Sequence, residues 1–284
     1  MKTDRIMNEA ERTETRSRTS PGLAFTLLEL LVVIAIVVIL AALIMGGLTH
    51  AKMATHRITC MNNLKQWGLA AYLYAHDCED ELPRETALDG INSWETTAAA
   101  SNRDVWYNAL AETAGVPTMA HYAQTPSSQQ DFYSAGRVFH CPRARFSAVA
   151  ATYPNFSLAI NSKLMRDFED RSEPSPFPLS GGSWGCKLGE IKAPERTALF
   201  LDNGIPGEER LCDFQPAYAG QPKACASEFS GRHSGAGNIL FVAGHVLTMA
   251  GKDVVEMDPN SVFRGRGIFP PTEVIWCRDP ALVP

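Results

Sequence analysis

The seven cysteines, at 60, 78, 141, 186, 212, 225 and 277, include no Cys-x-x-Cys pair. That lack argues against a zinc ribbon and against a thioredoxin-type redox motif. There is no excess of positive charge either. The formal net charge is −5, which offers nucleic acid no electrostatic attraction. No internal repeat is evident. Two local absences are more informative: no charged residue between Leu30 and Leu48, and no proline between Met53 and Ala75. Against these stand ordinary totals, 284 residues, 45% hydrophobic and 20% charged, enough for one large domain or two small ones. The odd cysteine count leaves at least one thiol unpaired in an oxidising compartment, unless it bonds another chain.

The charge-free run of nineteen residues, Leu30 to Leu48, spans roughly 29 Å as a helix, about the thickness of a bilayer's hydrocarbon core. Its valines and isoleucines would suit a strand in water. In lipid a lone strand cannot satisfy its backbone groups, so the run is expected to be a membrane helix. Residues 1–24 are polar, with five of the chain's 26 basic residues (Lys2, Arg5, Arg12, Arg16, Arg18) and four of its 31 acidic ones. Arg16 and Arg18 are the last charges before the apolar stretch. The positive-inside rule puts this end in the cytoplasm and everything after Thr49 across the membrane. The apolar run is too long for an ordinary signal peptide. It also carries Glu29 near its start, at a cost on the order of 2–3 kcal/mol at mid-membrane and less near the interface. Such a carboxylate needs a partner.

Ala24-Phe25-Thr26-Leu27-Leu28-Glu29-Leu30-Leu31-Val32-Val33-Ile34-Ala35 resembles the prepilin cleavage and methylation motif of type IV pilins and type II secretion pseudopilins. The resemblance implies cleavage between Ala24 and Phe25 by a prepilin peptidase and methylation of the new Phe25 amine. It implies that Glu29, fifth in the mature chain, pairs with that amine on a neighbouring subunit. Ala24 stands where the family usually has Gly; it too is small, so slower or normal cleavage is expected. Removal of the leader would leave a net charge of −6.

From Met53 to Ala75, Met61, Leu64, Gly68, Ala71 and Ala75 recur at three- and four-residue spacing, marking one helical face. Lys52, Arg57, Asn62, Lys65 and Gln66 fall largely elsewhere. A half-buried helix ending near Leu82-Pro83 is expected, as is one long helix with its second half in a globular head in the pilin resemblance. Cys60-Met61-Asn62-Asn63-Leu64-Lys65-Gln66-Trp67-Gly68-Leu69-Ala70 is similar to a large bacterial subfamily of prepilin-type proteins whose heads end in an H-x9-DG motif. Here His233 is followed by nine residues and then Ala243-Gly244, so the Asp is missing. Phe139-His140-Cys141-Pro142, Ile191 to Thr197 and Arg232-His233-Ser234 extend the resemblance; the last 34 residues fall outside it.

Expected strands are Arg137–His140, Tyr153–Ile160, Arg196–Leu201, Asn238–Val242 and His245–Met249, rich in Val, Ile, Phe and Leu and bounded by Gly, Pro or Asn. The last two form a hairpin with Ala243-Gly244 at its tip. Ala243 disfavours a type I′ turn and suggests another, such as type II with Gly244 third. Residues 111–135 and Phe168 to Gly182 read as irregular. The expected class is α+β, an antiparallel sheet laid on a long helix. The expected segments are a leader (1–24), a transmembrane part (25–50), an extracytoplasmic helical part (51–80) and a β-rich head (81–284).

Chemistry is sparse. Gly181-Gly182-Ser183-Trp184-Gly185 matches G-x-S-x-G, but prolines precede it and no helical pattern follows, so a glycine-rich loop is expected and no enzyme. His233 and His245 can approach across the hairpin, yet two histidines do not make a zinc site. His140 and Cys141 are conceivable additions, with no distance fixed by the sequence. No metal or other cofactor is therefore expected; His233 should hydrogen-bond a loop and His245 face solvent. Cys212 and Cys225 are close enough to close a loop. Cys60 and Cys141, both in family-like motifs, are candidates to tie helix to head; four cysteines allow three connectivities. The function implied is a structural subunit of a pilus-like or pseudopilus-like filament in the inner membrane, its head periplasmic or on the cell surface. Its partners would be the prepilin peptidase/methyltransferase, other pilin-like subunits and membrane lipid. The alternative is a membrane-tethered extracytoplasmic binding protein that never polymerises.

Overall fold

The computed structural model describes residues 26–87, 92–134, 137–146, 153–164, 186–208, 219–254 and 274–278. It contains one long helix, five short helices and a five-stranded sheet among these residues. The chain divides into two compact units, residues 1–50 and 51–284.

In the first unit, helix α1 (Leu27–Asp77) begins with a capping box. The Glu29 carboxylate accepts from the Thr26 backbone N–H at 2.8 Å and from its hydroxyl at 2.9 Å, while Thr26 Oγ1 accepts from the Glu29 N–H at 3.2 Å. From Leu27 to Leu48 the large apolar side chains are exposed, Leu27 by 81% and Leu43 by 72%. The helix is long and apolar enough to cross a membrane.

In the second unit the same helix becomes amphipathic. Leu64, Ala71 and Ala75 are buried, Gly68 with them and Met61 partly, while Lys52, Arg57, Asn62, Lys65 and Gln66 are exposed. The expected face is present, and it is wider than the spacing suggested, because Cys60, Asn63, Trp67 and Ala70 share it. Gly68 permits the close approach to the sheet: a Cβ there would lie 2.6 Å from Leu240 Cδ2.

The sheet contains β1 (Leu158–Asn161), β2 (Ala198–Asp202), β3 (Lys223–Ala224), β4 (Ala236–Phe241) and β5 (Val246–Ala250), in the order β3-β1-β2-β4-β5. All neighbours are antiparallel except β1 and the two-residue β3, so the sheet is mixed. Alternation along each strand sends side chains to opposite faces. Leu158, Ile160, Phe200 and Leu240 join α1 in one core; Ala159, Leu201, Ile239, Phe241 and Met249 form a second with Phe229, Val274 and Trp276. A register irregularity between Ala198 and Phe200 puts Leu199 and Phe200 into the same core.

The sheet is mixed rather than antiparallel throughout as expected, because β3 adds to β1 in parallel, and three further expectations are corrected. Residues 137–140 form a turn, not a strand, and residues 153–157 precede β1 rather than belonging to it. The stretch read as irregular from 111 holds helical structure: α3 (Trp106–Ala114), α4 (Met119–Tyr122) and α5 (Pro126–Phe132), preceded by α2 (Trp94–Ala98). Their few buried aromatics do the anchoring. Trp106 lies 5.3 Å from both Trp67 and Phe200, and Phe132 lies 5.4 Å from Phe139, ring centre to ring centre. The hairpin tip is the third correction. The Gly244 N–H donates to Phe241 O at 2.8 Å and Gly244 has φ +87°, so Gly244 is fourth in the turn, closing a three-residue loop. The final short helix is α6 (Gly251–Val254). Phe168 to Gly182 and Ser183 to Gly185, which together hold the whole G-x-S-x-G match, lie outside the described residues.

Trp67 is the single side chain that most closely ties helix to head. It is wholly buried, packs on Trp106 and Phe139, and its indole N–H donates to Val138 O at 2.9 Å. Trp67→Ala should destabilise the head by about 3–5 kcal/mol, read as a lower denaturant midpoint by circular dichroism of the detergent-solubilised chain.

Candidate functional site

Four elements deliver four ligand-type side chains to one buried point. Cys60 comes from the inward face of α1, and Cys141 from the turn after residues 137–140. Asp202 ends β2, two residues after Phe200 and so on the same face. His233 comes from the loop entering β4. One ligand atom from each lies within 4.8 Å of all the others. The Cys60 thiol donates to Asp202 Oδ1 at 2.7 Å, Cys141 Sγ lies 3.3 Å from His233 Nε2, and that nitrogen lies 3.5 Å from Asp202 Oδ2.

The scaffold around them is specific. Asn238 donates to Asp202 Oδ2 with both its backbone N–H and its side-chain amide, each at 2.8 Å, and its own amide oxygen accepts from Thr248 at 2.7 Å. Ser157 Oγ accepts from the Cys141 backbone N–H at 2.8 Å. Asn63 donates to His140 O at 2.8 Å and Trp67 to Val138 O, so α1 itself holds the turn that carries Cys141. Gly237, beside His233's loop, cannot be replaced cheaply: a Cβ would lie 2.2 Å from the Ser230 carbonyl oxygen.

Arg232 supplies the positive charge. Its buried guanidinium donates to both Glu208 oxygens, at 3.0 and 2.8 Å, to Ser157 O at 2.9 Å and to Asn203 O, and lies 3.8 Å from Asp202 Oδ1. These ion pairs hold it firmly protonated although burial opposes the charge. Burial pushes the Asp202 carboxyl up to about 6, with the charge on Cys141 adding; Arg232 and His233 pull it back. Burial likewise raises the Cys60 thiol, while the neighbouring Cys60, His233 and Arg232 together lower that of Cys141 against its own burial. The pair therefore favours a thiolate at Cys141 and a thiol at Cys60.

The sequence links Cys60 with Cys141 as a possible tie and Cys141 with His233 as possible zinc ligands, but gives no sign that all three meet or that Asp202 joins them. His233 does not simply bond a loop; it faces Cys141 and Asp202. His245 is exposed, as expected, and stacks on Phe241 at 4.7 Å. His140 points elsewhere, into Phe132, Tyr133 and Phe146, where burial drives its pKa down to about 3 and leaves it neutral. Cys60 and Cys141, candidates for a disulfide between helix and head, lie in one cluster but are both free cysteines in the structure. Cys225 is a free thiol that donates to Glu228 at 3.2 Å; Cys212 lies outside the described residues. Ala24 and Phe25 also lie outside them, and Glu29 sits in the capping box already described.

Comparison with known protein families, characterised proteins and solved structures finds no match to this chain.

Arg232 should matter far more than a surface arginine. Arg232→Met removes one partner of a buried ion pair and strands Glu208 and Asp202, which should cost about 3–5 kcal/mol. Thermal unfolding of the detergent-solubilised variant is expected to start well below that of the parent chain.

Proposed function

We propose that this chain is a prepilin-type structural subunit of a type IV pilus-like or type II secretion pseudopilus-like filament. The observation that carries the proposal is the composition of α1: a long exposed apolar portion whose first turn contains one carboxylate, continued by a portion buried within a polar head. An apolar surface of this extent requires lipid or other apolar helices around it. The prepilin-like motif around Phe25 and Glu29 supplies the second support.

In this account the leader keeps the N-terminus cytoplasmic, α1 holds the subunit in the inner membrane, and the head is extracytoplasmic. Prepilin peptidase cuts between Ala24 and Phe25 and the new amine is methylated. Within one chain, Glu29 caps the helix through Thr26. During assembly its carboxylate meets the Phe25 amine of an adjacent subunit, where an opposite charge offsets the cost of taking both groups out of water. The apolar helices then pack against each other as subunits leave the bilayer.

Two substitutions separate the charge from the cap. Glu29→Gln keeps a side chain able to complete a capping box but removes the charge; Glu29→Ala removes both. Both variants should insert into the membrane normally and both should fall out of sheared filaments, by tenfold or more on about 1.4 kcal/mol of lost pairing. Filament incorporation by Glu29→Gln at the parent level would eliminate the charge-pairing role, and with it the assembly mechanism.

A further inference from the structure

We propose that Cys60, Cys141, Asp202 and His233 form a structural site for a thiophilic divalent cation, with zinc the ion that fits best. The proposal stands on the geometry of the head and does not depend on filament assembly.

The donor set comes first. Two sulfurs, one imidazole nitrogen and one carboxylate oxygen are ligands zinc accepts, and four is the number a closed structural site uses. The thiolates argue against magnesium and calcium, which prefer oxygen. All four side chains are buried, so none is an incidental surface carboxylate. With all four donors supplied by protein, no position is left for substrate, which makes the site structural rather than catalytic.

The distances come second. Tetrahedral bonds of about 2.0–2.3 Å place neighbouring ligand atoms roughly 3.3–3.8 Å apart. Cys141 Sγ to His233 Nε2 is 3.3 Å and His233 Nε2 to Asp202 Oδ2 is 3.5 Å. The Cys60–Asp202 contact, at 2.7 Å, is a thiol hydrogen bond; metal would replace its proton and the two atoms would separate. The four ligand atoms lie within 4.8 Å of one another, so the wider pairs would draw in on the ion, while Asn238, Ser157 and Asn63 already fix the carboxylate and the turn that holds Cys141.

Charge comes third. Two thiolates and a carboxylate buried together would repel strongly. A divalent cation cancels two of the three charges, and the Arg232 guanidinium, although paired with Glu208, stands 3.8 Å from Asp202 Oδ1 and tempers the remainder. A Cys60–Cys141 disulfide is the competing arrangement. It would consume both sulfurs and leave the buried Asp202 without the Cys60 proton and His233 Nε2 facing an oxidised sulfur. It accounts for two of the four groups, whereas a cation engages all four.

The consequence for the fold is a clip. The ligands lie on α1, the turn at 137–141, the end of β2 and the loop before β4, so one ion joins the long helix to three separate points of the head. An ion that binds the folded head and not the unfolded chain stabilises the fold by RT ln(1 + c/Kd), where c is the free ion concentration.

The test uses the full chain, purified in detergent without chelator. Metal content is measured by inductively coupled plasma mass spectrometry, then cobalt(II) is added to chelator-stripped protein. The site predicts about one zinc per chain, as a single four-ligand centre requires. It predicts a thiolate-to-cobalt charge-transfer band that zinc abolishes, and a lower melting temperature after stripping. Cys60→Ser and His233→Ala should lose the band, while Cys78→Ser, outside the cluster, should keep it. If either cluster variant fails to fold, the parent protein's stoichiometry and cobalt spectrum decide the question. No zinc together with no cobalt band, a band that Cys60→Ser retains, or a Cys60–Cys141 cross-link recovered by non-reducing peptide mapping would overturn the proposal.

Discussion

The buried contact between the second portion of α1 and the sheet governs the rest of the head. Cys60, Leu64, Trp67 and Ala71 on the helix meet Leu158, Ile160, Phe200 and Leu240 on the strands in one apolar core. Burial of this kind is the main favourable term in folding, on the order of 25 cal/mol per Å² of apolar surface. It also has a geometric requirement. The helix must come close enough for Gly68 to sit over Leu240, and it must present Asn63 and Trp67 to the turn at 137–141. Once those two conditions are met, Cys60 and Cys141 are brought together without further adjustment.

The same helix has a different environment requirement upstream. Its large apolar side chains from Leu27 to Leu48 are exposed. One continuous helix therefore joins an exposed apolar portion, long enough to cross a membrane, to a portion packed in the core of the head. In the proposed function this coupling is the mechanical principle: force or packing at the apolar end is carried by backbone hydrogen bonds into the head. A cation bound at Cys60 would secure the helix at its entry into that head.

Much of this was legible in the sequence because periodicity reports burial. The stripe from Met61 to Ala75 follows from helical spacing, whereas β2, β4 and the start of the hairpin follow from short runs of Val, Ile, Leu and Phe bounded by Gly, Pro or Asn, since β2 and β4 are buried along almost all of their length and show no alternation. The short helices between 94 and 132 were not legible. They are only four to nine residues long, and they are held by aromatic contacts from distant segments rather than by their own periodicity. The two-residue β3 offers no pattern at all. Asp202 was hidden for another reason. In the string Leu201-Asp202-Asn203-Gly204 it looks like the polar start of a turn, and only the sheet shows that it faces α1. Cys60 was visible beside Cys141 as a possible tie, and Cys141 beside His233 as a possible ligand, but sequence separations of 81 and 92 residues carry no information about distance. His140 and His245 were equally plausible until burial and ring contacts turned them away.

The most direct test of the central claim, that α1 begins as a processed, membrane-embedded assembly helix, is the intact mass of the native protein together with sequencing of its N-terminal peptide. The account predicts a chain starting at Phe25 with a methylated amine, recovered from the membrane or from sheared filaments. A functional protein that retains residues 1–24, or one recovered as a soluble monomer, would contradict it.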